Sequence, residues 1–271
     1  MINGTIRTSS GTITSGSSNT IPYSSSDFIY LSQPQLQAIG KMTLAVILAR
    51  GGSKGVPGKN IADLCGKPVL EYTLDAANNS KYLNDIVVSS DDQRTLQIAR
   101  KNGTIPLWRP AALAQDETPT LPALQHAVLT LEGLLGVQFD YIVELRATSP
   151  LKTTRDIDNV VELLVNNDVE AVIGVTQVQE YHPARIKWID ENKCIKDFEP
   201  EPQSGRRQDL RPEAYVRNGS IYAFRRETIL GDNPKVFGHE RALAYVMPRE
   251  RSINIEEPLD LKICELILRG E

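Results

Sequence analysis

A loop rich in glycine and basic side chains is the part of the sequence best suited to chemistry, because its residue types suit the binding of a polyphosphate. The loop follows an apolar run and reads RGGSKGVPGKN over residues 50–60. Glycines let backbone N–H groups approach an anion closely, and Arg50, Lys54 and Lys59 add three positive charges. This pattern predicts a loop that binds the phosphates of a nucleoside triphosphate.

Two common phosphate-binding patterns do not fit this loop. A Walker A motif ending at Lys59 would need glycine where Ser53 stands, and serine or threonine where Asn60 stands. A dinucleotide-binding GxGxxG pattern fails as well, since Lys54 stands two residues after Gly52. The sequence therefore disfavours a kinase-type NTPase and a dinucleotide-binding protein. The plainer alternative is a flexible basic loop without a ligand, and its position directly after a buried strand argues against that alternative.

The elements that must position this loop are short apolar runs alternating with amphipathic segments. Strands are predicted at residues 44–49, 86–90, 141–145 and 171–178, and helices at residues 67–79, 91–102, 153–166 and 258–268. Asp91 is predicted to cap the second helix, and Thr153 with Asp156 to form a capping box for the third. This alternation predicts an α/β fold with a mostly parallel, doubly wound sheet, which binds ligands beyond the carboxyl ends of its strands.

The pattern changes after residue 178. Short strands are predicted at residues 185–189, 193–198, 220–224 and 243–247, and residues 200–212 are polar and contain proline. We interpret this part as a small antiparallel insertion, with an arm over residues 179–215. A further strand, predicted over residues 252–255, then returns the chain to the main sheet.

Residues 1–41 differ in composition from the rest of the chain. They contain nine Ser and five Thr but only three charged side chains, those of Arg7, Asp27 and Lys41. We interpret them as a disordered or loosely attached tail, either vector-derived or an extension before a natural start at Met42. The folded domain is accordingly predicted over residues 42–271.

Composition excludes several classes of function. The 271 residues include 30 basic and 34 acidic side chains, so there is no basic surplus of the kind that binds nucleic acid. The three cysteines, Cys65, Cys194 and Cys264, are too far apart in sequence to suggest a zinc site and are typical of thiols in a reducing cytoplasm. No apolar run approaches the roughly 20 residues that span a bilayer. We therefore expect a soluble, cytoplasmic protein without a membrane or nucleic-acid partner.

The loop at residues 50–60 resembles the signature loop of the CMP-sialic acid synthetases, the acylneuraminate cytidylyltransferases. Relatives in that family activate legionaminic, pseudaminic and similar nonulosonic acids. Further segments resemble the family in the same order along the chain: RPAALA at residues 109–114, LRATSPL at 145–151, HP at 182–183, RQ at 207–208, NGSIY at 218–222 and SINIEEPLDL at 252–261. The resemblance covers residues 42 to about 268.

This resemblance implies a nucleotidyltransferase with a Rossmann-like fold. The anomeric hydroxyl of a 2-keto sugar acid would attack the α-phosphorus of CTP and release pyrophosphate, with Mg²⁺ as cofactor. The resemblance also implies a homodimer, in which the arm at residues 179–215 reaches the partner's site. Two alternatives stay open: another sugar nucleotidyltransferase that uses a different nucleotide or acceptor, and a nucleotide- or sugar-binding homologue without turnover.

Three groups of residues are candidates for this chemistry. Arg50, Lys59 and Glu256 are assigned to catalysis, with Lys59 nearest the bridge between the α- and β-phosphates. The nucleotide-binding group comprises Arg50, Gly51, Gly52, Ser53, Lys54, Lys59, Asn60, Arg109, Asp116 and Thr118. The sugar-binding group comprises Arg146, Thr148, Ser149, Arg207, Gln208 and Asn218. Arg146 stands where many relatives carry glutamine, and the arginine fork suits a carboxylate.

The metal site is where the sequence departs from the family. The usual pair of aspartates in the closing segment is replaced here by Asn254 and Glu256. On the predicted strand, these alternate positions would point to one face and converge on one cation. Mg²⁺ prefers oxygen ligands, which both side chains supply, although with less negative charge than two aspartates. We therefore expect Mg²⁺ at Asn254 and Glu256, and this reduced charge is the reason for keeping the non-catalytic alternative.

Overall fold

A seven-stranded mixed sheet forms the centre of the protein. The computed structural model describes residues 41–53, 55–178 and 180–271, so the predictions for Lys54 and for the tail over residues 1–40 lie outside the described residues. The sheet has the strand order β11-β7-β10-β6-β1-β4-β5. Its members are β1 (Thr43–Leu48), β4 (Asp85–Ser90), β5 (Ile105–Trp108), β6 (Tyr141–Leu145), β7 (Ala171–Val178), β10 (Ala214–Arg225) and β11 (Ala242–Val246).

Six helices accompany the sheet in the described part of the chain. They are α1 (Val69–Asn78), α2 (Gln93–Lys101), α3 (Thr120–Leu135), α4 (Thr154–Asn166), α5 (Arg226–Leu230) and α6 (Pro258–Arg269). Two small hairpins lie outside the main sheet, one formed by β2 (Asp63–Leu64) and β3 (Lys67–Pro68), the other by β8 (Lys187–Ile189) and β9 (Ile195–Asp197). None of the described helices is long and apolar enough to cross a membrane.

Strand β1 is buried on both faces, which explains its unbroken apolar sequence. Ala45 and Ile47 face a cluster that contains residues of α1 and α4. Leu44 and Val46 face the opposite cluster, to which α3 contributes. Because successive side chains of a strand point to opposite faces, a central strand covered by helices on both sides needs apolar residues at every position. The predicted doubly wound α/β architecture is confirmed.

The parallel part of the sheet brings three strand ends together. Strand β1 pairs in parallel with β4 on one side and with β6 on the other, so that Val46 lies opposite both Val87 and Glu144. The predicted strands at 141–145 and 171–178 have the observed bounds of β6 and β7. The carboxyl ends of β1, β4 and β6 therefore lie side by side at one edge of the sheet.

Two strands predicted for the insertion belong to the main sheet instead. Strand β10 contains the predicted segment 220–224 and runs antiparallel between β6 and β7, and β11 pairs in parallel with the far side of β7. The apolar side chains of both segments pack into the main core rather than into a separate layer. Of the strands predicted for the insertion, those that form the hairpin of β8 and β9 lie outside the main sheet.

The predicted strand over residues 252–255 is wrong. The chain there is irregular and follows a single 3-10 turn, Arg249–Arg251. The backbone N–H of Ile255 donates to the carbonyl oxygen of Thr148 at 2.7 Å, and the hydroxyl of Ser252 donates to the carbonyl oxygen of Pro248 at 2.9 Å. Because these groups bond to loops, they do not form the ladder of a strand.

The helix caps divide into one confirmed prediction and one correction. Thr153 and Asp156 form the predicted capping box at the start of α4. Asp92, not Asp91, caps α2, since its carboxylate accepts hydrogen bonds from the backbone N–H groups of Arg94 and Thr95. The Asp91 carboxylate instead accepts from the backbone N–H of Gly51 at 2.8 Å. Of two adjacent aspartates, one caps the helix and the other holds the loop after β1.

Replacing Asp85 with asparagine should stabilise the fold at neutral pH. Burial raises the pKa of Asp85, at the start of β4, from 3.8 to about 6. The folded state therefore binds this proton more tightly than the unfolded state, and the free energy of unfolding falls as pH rises from about 4 to about 6. Asp85→Asn should remove this loss and gain about 1 to 3 kcal/mol at pH 7. Urea unfolding at pH 4.5 and pH 7 measures both effects.

Asp232→Asn is the matched control, because Asp232 is exposed on a loop. This control variant should leave the urea concentration at the midpoint of unfolding unchanged, both at pH 4.5 and at pH 7. A lower stability of Asp85→Asn at pH 7 would show that the carboxylate is favourably bound in the folded protein.

Candidate active site

The loop after β1 is held in shape by its own polar side chains and by Asp91. The side-chain amide of Asn60 donates to the carbonyl oxygen of Arg50 at 2.9 Å, which closes the loop on itself. Gly51 donates to Asp91, and a side chain at Gly51 would approach the Cβ atom of Asp92 to 2.8 Å. The loop therefore lies tightly against the end of β4, where only glycine fits at residue 51.

Most of the predicted site residues line one cleft beyond the carboxyl ends of β1, β4 and β6. The cleft has a volume of about 310 Å³. Ten predicted residues line it: Arg50, Ser53, Lys59, Asn60, Arg109, Asp116, Thr118, Arg146, Thr148 and Glu256. Gly51 and Gly52 belong to the loop but do not line the cleft. With four basic side chains at its walls, the cleft suits a polyanion.

The basic groups of the cleft are held at fixed places. Arg50 Nη2 lies 2.8 Å from the carboxylate of Asp116, and Arg50 Nη1 donates to the carbonyl oxygen of Gln115 at 2.9 Å. Arg109 is buried and donates from Nε to the hydroxyl oxygen of Ser89 at 3.1 Å. Burial lowers the pKa of Arg109 to about 10, so its charge remains at neutral pH.

Lys59 joins the loop after β1 to the closing segment of the chain. Its Nζ atom donates to the carbonyl oxygen of Ile255 at 3.0 Å and to Glu256 Oε2 at 2.7 Å. The other carboxylate oxygen of Glu256 accepts from the side-chain amide of Asn254 at 2.6 Å. Asn254 and Glu256 therefore lie in contact, through the amide nitrogen of Asn254, in an irregular segment and not on the predicted strand. No group of three or more His, Cys, Asp or Glu that could hold a metal occurs among the described residues.

A second cavity of about 420 Å³ adjoins the cleft. It is lined by Arg146, Thr176, Val216, Arg217, Asn218, Gly219, Tyr222, Phe237, Ser252 and Asn254. Arg146 lines both spaces, so the two cavities meet at its side chain. The guanidinium of Arg217 lies 3.6 Å from the ring centre of Phe237, whose ring meets Tyr222 edge-on. This cavity offers two guanidinium groups beside aromatic surface.

The predicted sugar-binding residues fall into four places. Arg146 and Asn218 line the second cavity, and Thr148 lines the first. Ser149 is buried, and its hydroxyl donates to the carbonyl oxygen of Gly219 at 3.0 Å, which supports the wall between the two. Arg207 and Gln208 lie in the 3-10 turn Arg207–Asp209 and line neither cavity.

Sequence reasoning missed four residues that shape the site: Glu144, Lys152, Arg217 and Phe237. Glu144 could have been found from the sequence, because it is a charged residue inside the otherwise apolar run YIVEL. Lys152 follows directly after the LRATSPL segment, and Arg217 directly precedes NGSIY. Nothing in the local sequence marks Phe237, whose place depends on its packing against β10.

The fold and the cleft together are typical of nucleotide-binding α/β proteins. The basic loop follows β1, the strand from which the chain order of the parallel strands runs in opposite directions, to β4 on one side and to β6 on the other. The cytidylyltransferase family model matches residues 44–245. The chain belongs to the cytidylyltransferase family.

Curated relatives share most of the length of the chain. It is 34% identical over 226 residues to the CMP-N,N′-diacetyllegionaminic acid synthase of Campylobacter jejuni, covering 83% of this chain and 94% of that protein. It is 30% identical over 227 residues to a pseudaminic acid cytidylyltransferase of the same species, covering 83% and 96%. The N-acylneuraminate cytidylyltransferase of Streptococcus agalactiae is 32% identical over 79% of this chain and 50% of its own length.

A solved structure supports the fold. CMP:2-keto-3-deoxy-manno-octonic acid synthetase, complexed with CTP, superposes with a TM-score of 0.61 over 85% of this chain and 100% of that one. The sequence identity is 17%, so the similarity concerns the fold.

Gly55 should be essential for the contact between the loop and the closing segment. A Cβ atom at this position would lie 2.0 Å from the carbonyl oxygen of Glu256, a backbone atom that has to move to avoid it. Gly55→Ala should therefore displace Glu256 and raise KM for CTP by about 10-fold or more, with a lower Tm. Pyrophosphate-release kinetics and a melting curve measure these effects.

Gly133→Ala is the control, because a Cβ atom added to Gly133 in α3 meets no atom within 4 Å. Alanine in a helix should keep or raise Tm and leave KM unchanged. Equal behaviour of the two variants would mean that the loop is free of the closing segment in solution.

Proposed function

We propose that this protein transfers CMP from CTP to a nonulosonic acid of the sialic type and releases pyrophosphate. The observation that carries this proposal is the pair of adjoining cavities at the carboxyl ends of the strands, one lined by four basic side chains, the other by two arginines and aromatic surface, with Arg146 shared. The first suits a triphosphate and the second a sugar acid. N-acylneuraminic, legionaminic and pseudaminic acids are the candidate acceptors.

In-line transfer at phosphorus needs positioning and charge neutralisation more than covalent help from the protein. The anomeric hydroxyl forms a bond to the α-phosphorus of CTP while the bond to the bridging oxygen breaks and pyrophosphate leaves. Arg50 and Lys59, which line the cleft, would bind the triphosphate, with a neutral backbone N–H donor from Ser53. Arg146, at the meeting point of the cavities, would bind the carboxylate of the acceptor.

We propose Mg²⁺ as the cofactor, held by Asn254 and Glu256. Both side chains carry oxygen atoms of the kind that Mg²⁺ prefers. Asn254 Oδ1 accepts hydrogen bonds from Thr148 and Ser149, and the carboxylate of Glu256 is bound by Lys59 and by Asn254 Nδ2, so Mg²⁺ would have to replace these contacts. When bound, Mg²⁺ would neutralise part of the negative charge of the phosphates. With only one carboxylate in the pair, and that carboxylate bound to Lys59, the lysine carries more of the charge neutralisation in this chain.

A panel of substrates tests the proposed reaction. Pyrophosphate release should occur with CTP and not with UTP, ATP or GTP, and with one of N-acetylneuraminic, N,N′-diacetyllegionaminic and pseudaminic acids, in the presence of Mg²⁺. Turnover with 3-deoxy-octulosonic acid instead would place the protein among other sugar nucleotidyltransferases. Lys59→Ala should abolish turnover in the same assay, whereas Lys262→Ala, at an exposed position of α6, should leave it unchanged.

One observation favours the alternative of a binding protein without turnover. The carboxylate of Glu256 is already engaged by Lys59 and Asn254, and it is the one carboxylate of the proposed metal pair. Absence of pyrophosphate release with every substrate of the panel, together with a rise in Tm on addition of CTP, would support this alternative.

We further propose that the protein is a homodimer built through the hairpin of β8 and β9. The hairpin exposes large apolar side chains, with Ile189 exposed by 72%, Ile195 by 71% and Phe198 by 62%. Contiguous exposed apolar surface of this kind marks association sites. A second copy is the occupant we propose, because HP at residues 182–183 resembles the start of the family's dimerisation region.

Replacing Ile189 and Ile195 with serine should convert the dimer to a monomer. The double variant loses the apolar contact that holds the two copies but removes no core packing, so each monomer should remain folded. Light scattering after size-exclusion chromatography measures the mass. Leu259→Ser, at an equally exposed position of α6, should remain dimeric, and a monomeric wild-type protein would contradict the proposal.

A further inference from the structure

Glu144 is a buried carboxylate at the floor of the nucleotide cleft. It lies in β6 opposite Val46 of β1 and Tyr222 of β10, and its side chain is only 2% exposed. The other residues of β6 are Tyr, Ile, Val and Leu, and β6 as a whole is buried. A carboxylate in such a strand costs free energy that an apolar residue would not, so packing does not account for its presence.

The contacts of Glu144 are incomplete. Its Oε1 atom lies 3.4 Å from Arg146 Nε, within ion-pair distance but without the alignment of a hydrogen bond. Its Oε2 atom is fully buried and has no hydrogen-bond partner in the described part of the chain. Burial raises the pKa of Glu144 and the charge of Arg146 opposes that rise. Arg146 and Tyr222 are the ionisable groups that face it.

Arg146 is held at its base, and its guanidinium makes a long cation–π contact with the ring of Tyr222, 5.8 Å from the ring centre. Its backbone N–H donates to the carbonyl oxygen of Ser220 at 3.1 Å, and its side chain passes close to Gly219. Within the described residues, the terminal nitrogens of its guanidinium make no hydrogen bond, and the group faces both cavities. A flexible cation at this place is attracted by the triphosphate in one cavity and by the carboxylate of an acid in the other.

We propose that Glu144 is a positioning residue that holds Arg146 for the acceptor and away from the triphosphate. Arg146 follows directly after β6, where its backbone N–H still bonds to Ser220 of β10, and it is two positions from Glu144. The two side chains therefore point to the same face, and the carboxylate faces the inner Nε atom of the guanidinium. This contact leaves the two outer nitrogens for a ligand carboxylate. It also offsets the pull of the phosphates, because part of the charge of Arg146 is neutralised by Glu144. The inference rests on the proposed function, since it assigns the acceptor side of that reaction.

Kinetics of Glu144→Leu and Glu144→Gln test this role. Leucine removes the buried charge and should keep the protein folded, with Tm equal to or above the wild-type value. KM for the acid should rise by about 10-fold or more, whereas KM for CTP should stay within about 2-fold or fall, because Arg146 is then free to join the phosphates. Glu144→Gln keeps the shape, and it gives the same test if the leucine variant does not fold.

Glu132→Gln is the matched control. Glu132 forms a close ion pair with Arg226, at 2.8 Å, and neither residue lines the two cavities. Loss of this pair should lower Tm without a change in either KM. A purely structural role of Glu144 would give the same pattern, and that result would overturn the inference.

A double-mutant cycle separates action through Arg146 from a direct effect. Arg146→Ala alone should raise KM for the acid, and adding Glu144→Leu to it should change KM no further. Additive effects would overturn the inference. The assays use N-acetylneuraminic, N,N′-diacetyllegionaminic and pseudaminic acids in turn. A wild-type protein inert with all three overturns the proposed function and this inference together, whereas an active wild type with unchanged Glu144 variants overturns the inference alone.

Discussion

The buried ammonium group of Lys152 is the contact on which the arrangement of both cavities depends. Its Nζ atom donates to the carbonyl oxygens of Arg146 and Ser149, at 2.7 and 2.5 Å, and to the hydroxyl oxygen of Thr73 at 2.9 Å. These three acceptors match the three protons of an ammonium group, although burial lowers the pKa of Lys152 to about 7. These bonds hold the loop after β6 against α1. In this position the loop places the side chains of Arg146 and Thr148 in the walls of the cavities.

From that loop, a chain of polar contacts continues to the closing segment. Thr148 and Ser149 both donate to the side-chain oxygen of Asn254, at 2.6 and 3.3 Å, and Asn254 in turn donates to Glu256. Glu256 binds Lys59, which belongs to the loop after β1. The loops that line the two cavities are therefore parts of one hydrogen-bonded network. A change in one of these residues therefore alters the hydrogen bonds of the others.

The sequence predicts those features of the fold that depend on residues close together in the chain, and it fails for those that depend on distant residues. Strands β6 and β7 and the capping box at Thr153 follow from patterns within a few residues, and they are confirmed. The place of β10 and the irregular course of residues 252–255 depend on partners far along the chain, such as the carbonyl of Thr148, and the predictions for them are wrong. Most candidate site residues share the cleft because they follow strands whose ends the sheet brings together. Arg207 and Gln208 lie outside the cleft. They belong to a polar turn, which has no strand or helix pattern from which its position relative to the sheet could be predicted.

The route of the chain has a consequence for biosynthesis. The loop after β1 emerges early from the ribosome, whereas Asn254 and Glu256, which complete both cavities, emerge after β11 has joined the edge of the sheet. The parallel strands β1, β4 and β6 can assemble before that time, but their phosphate-binding edge then lacks the partner of Lys59. A nascent chain can therefore form the centre of its sheet before the cleft is closed, and a ligand of the closed cleft can stabilise the fold only after residues 254–256 have been synthesised.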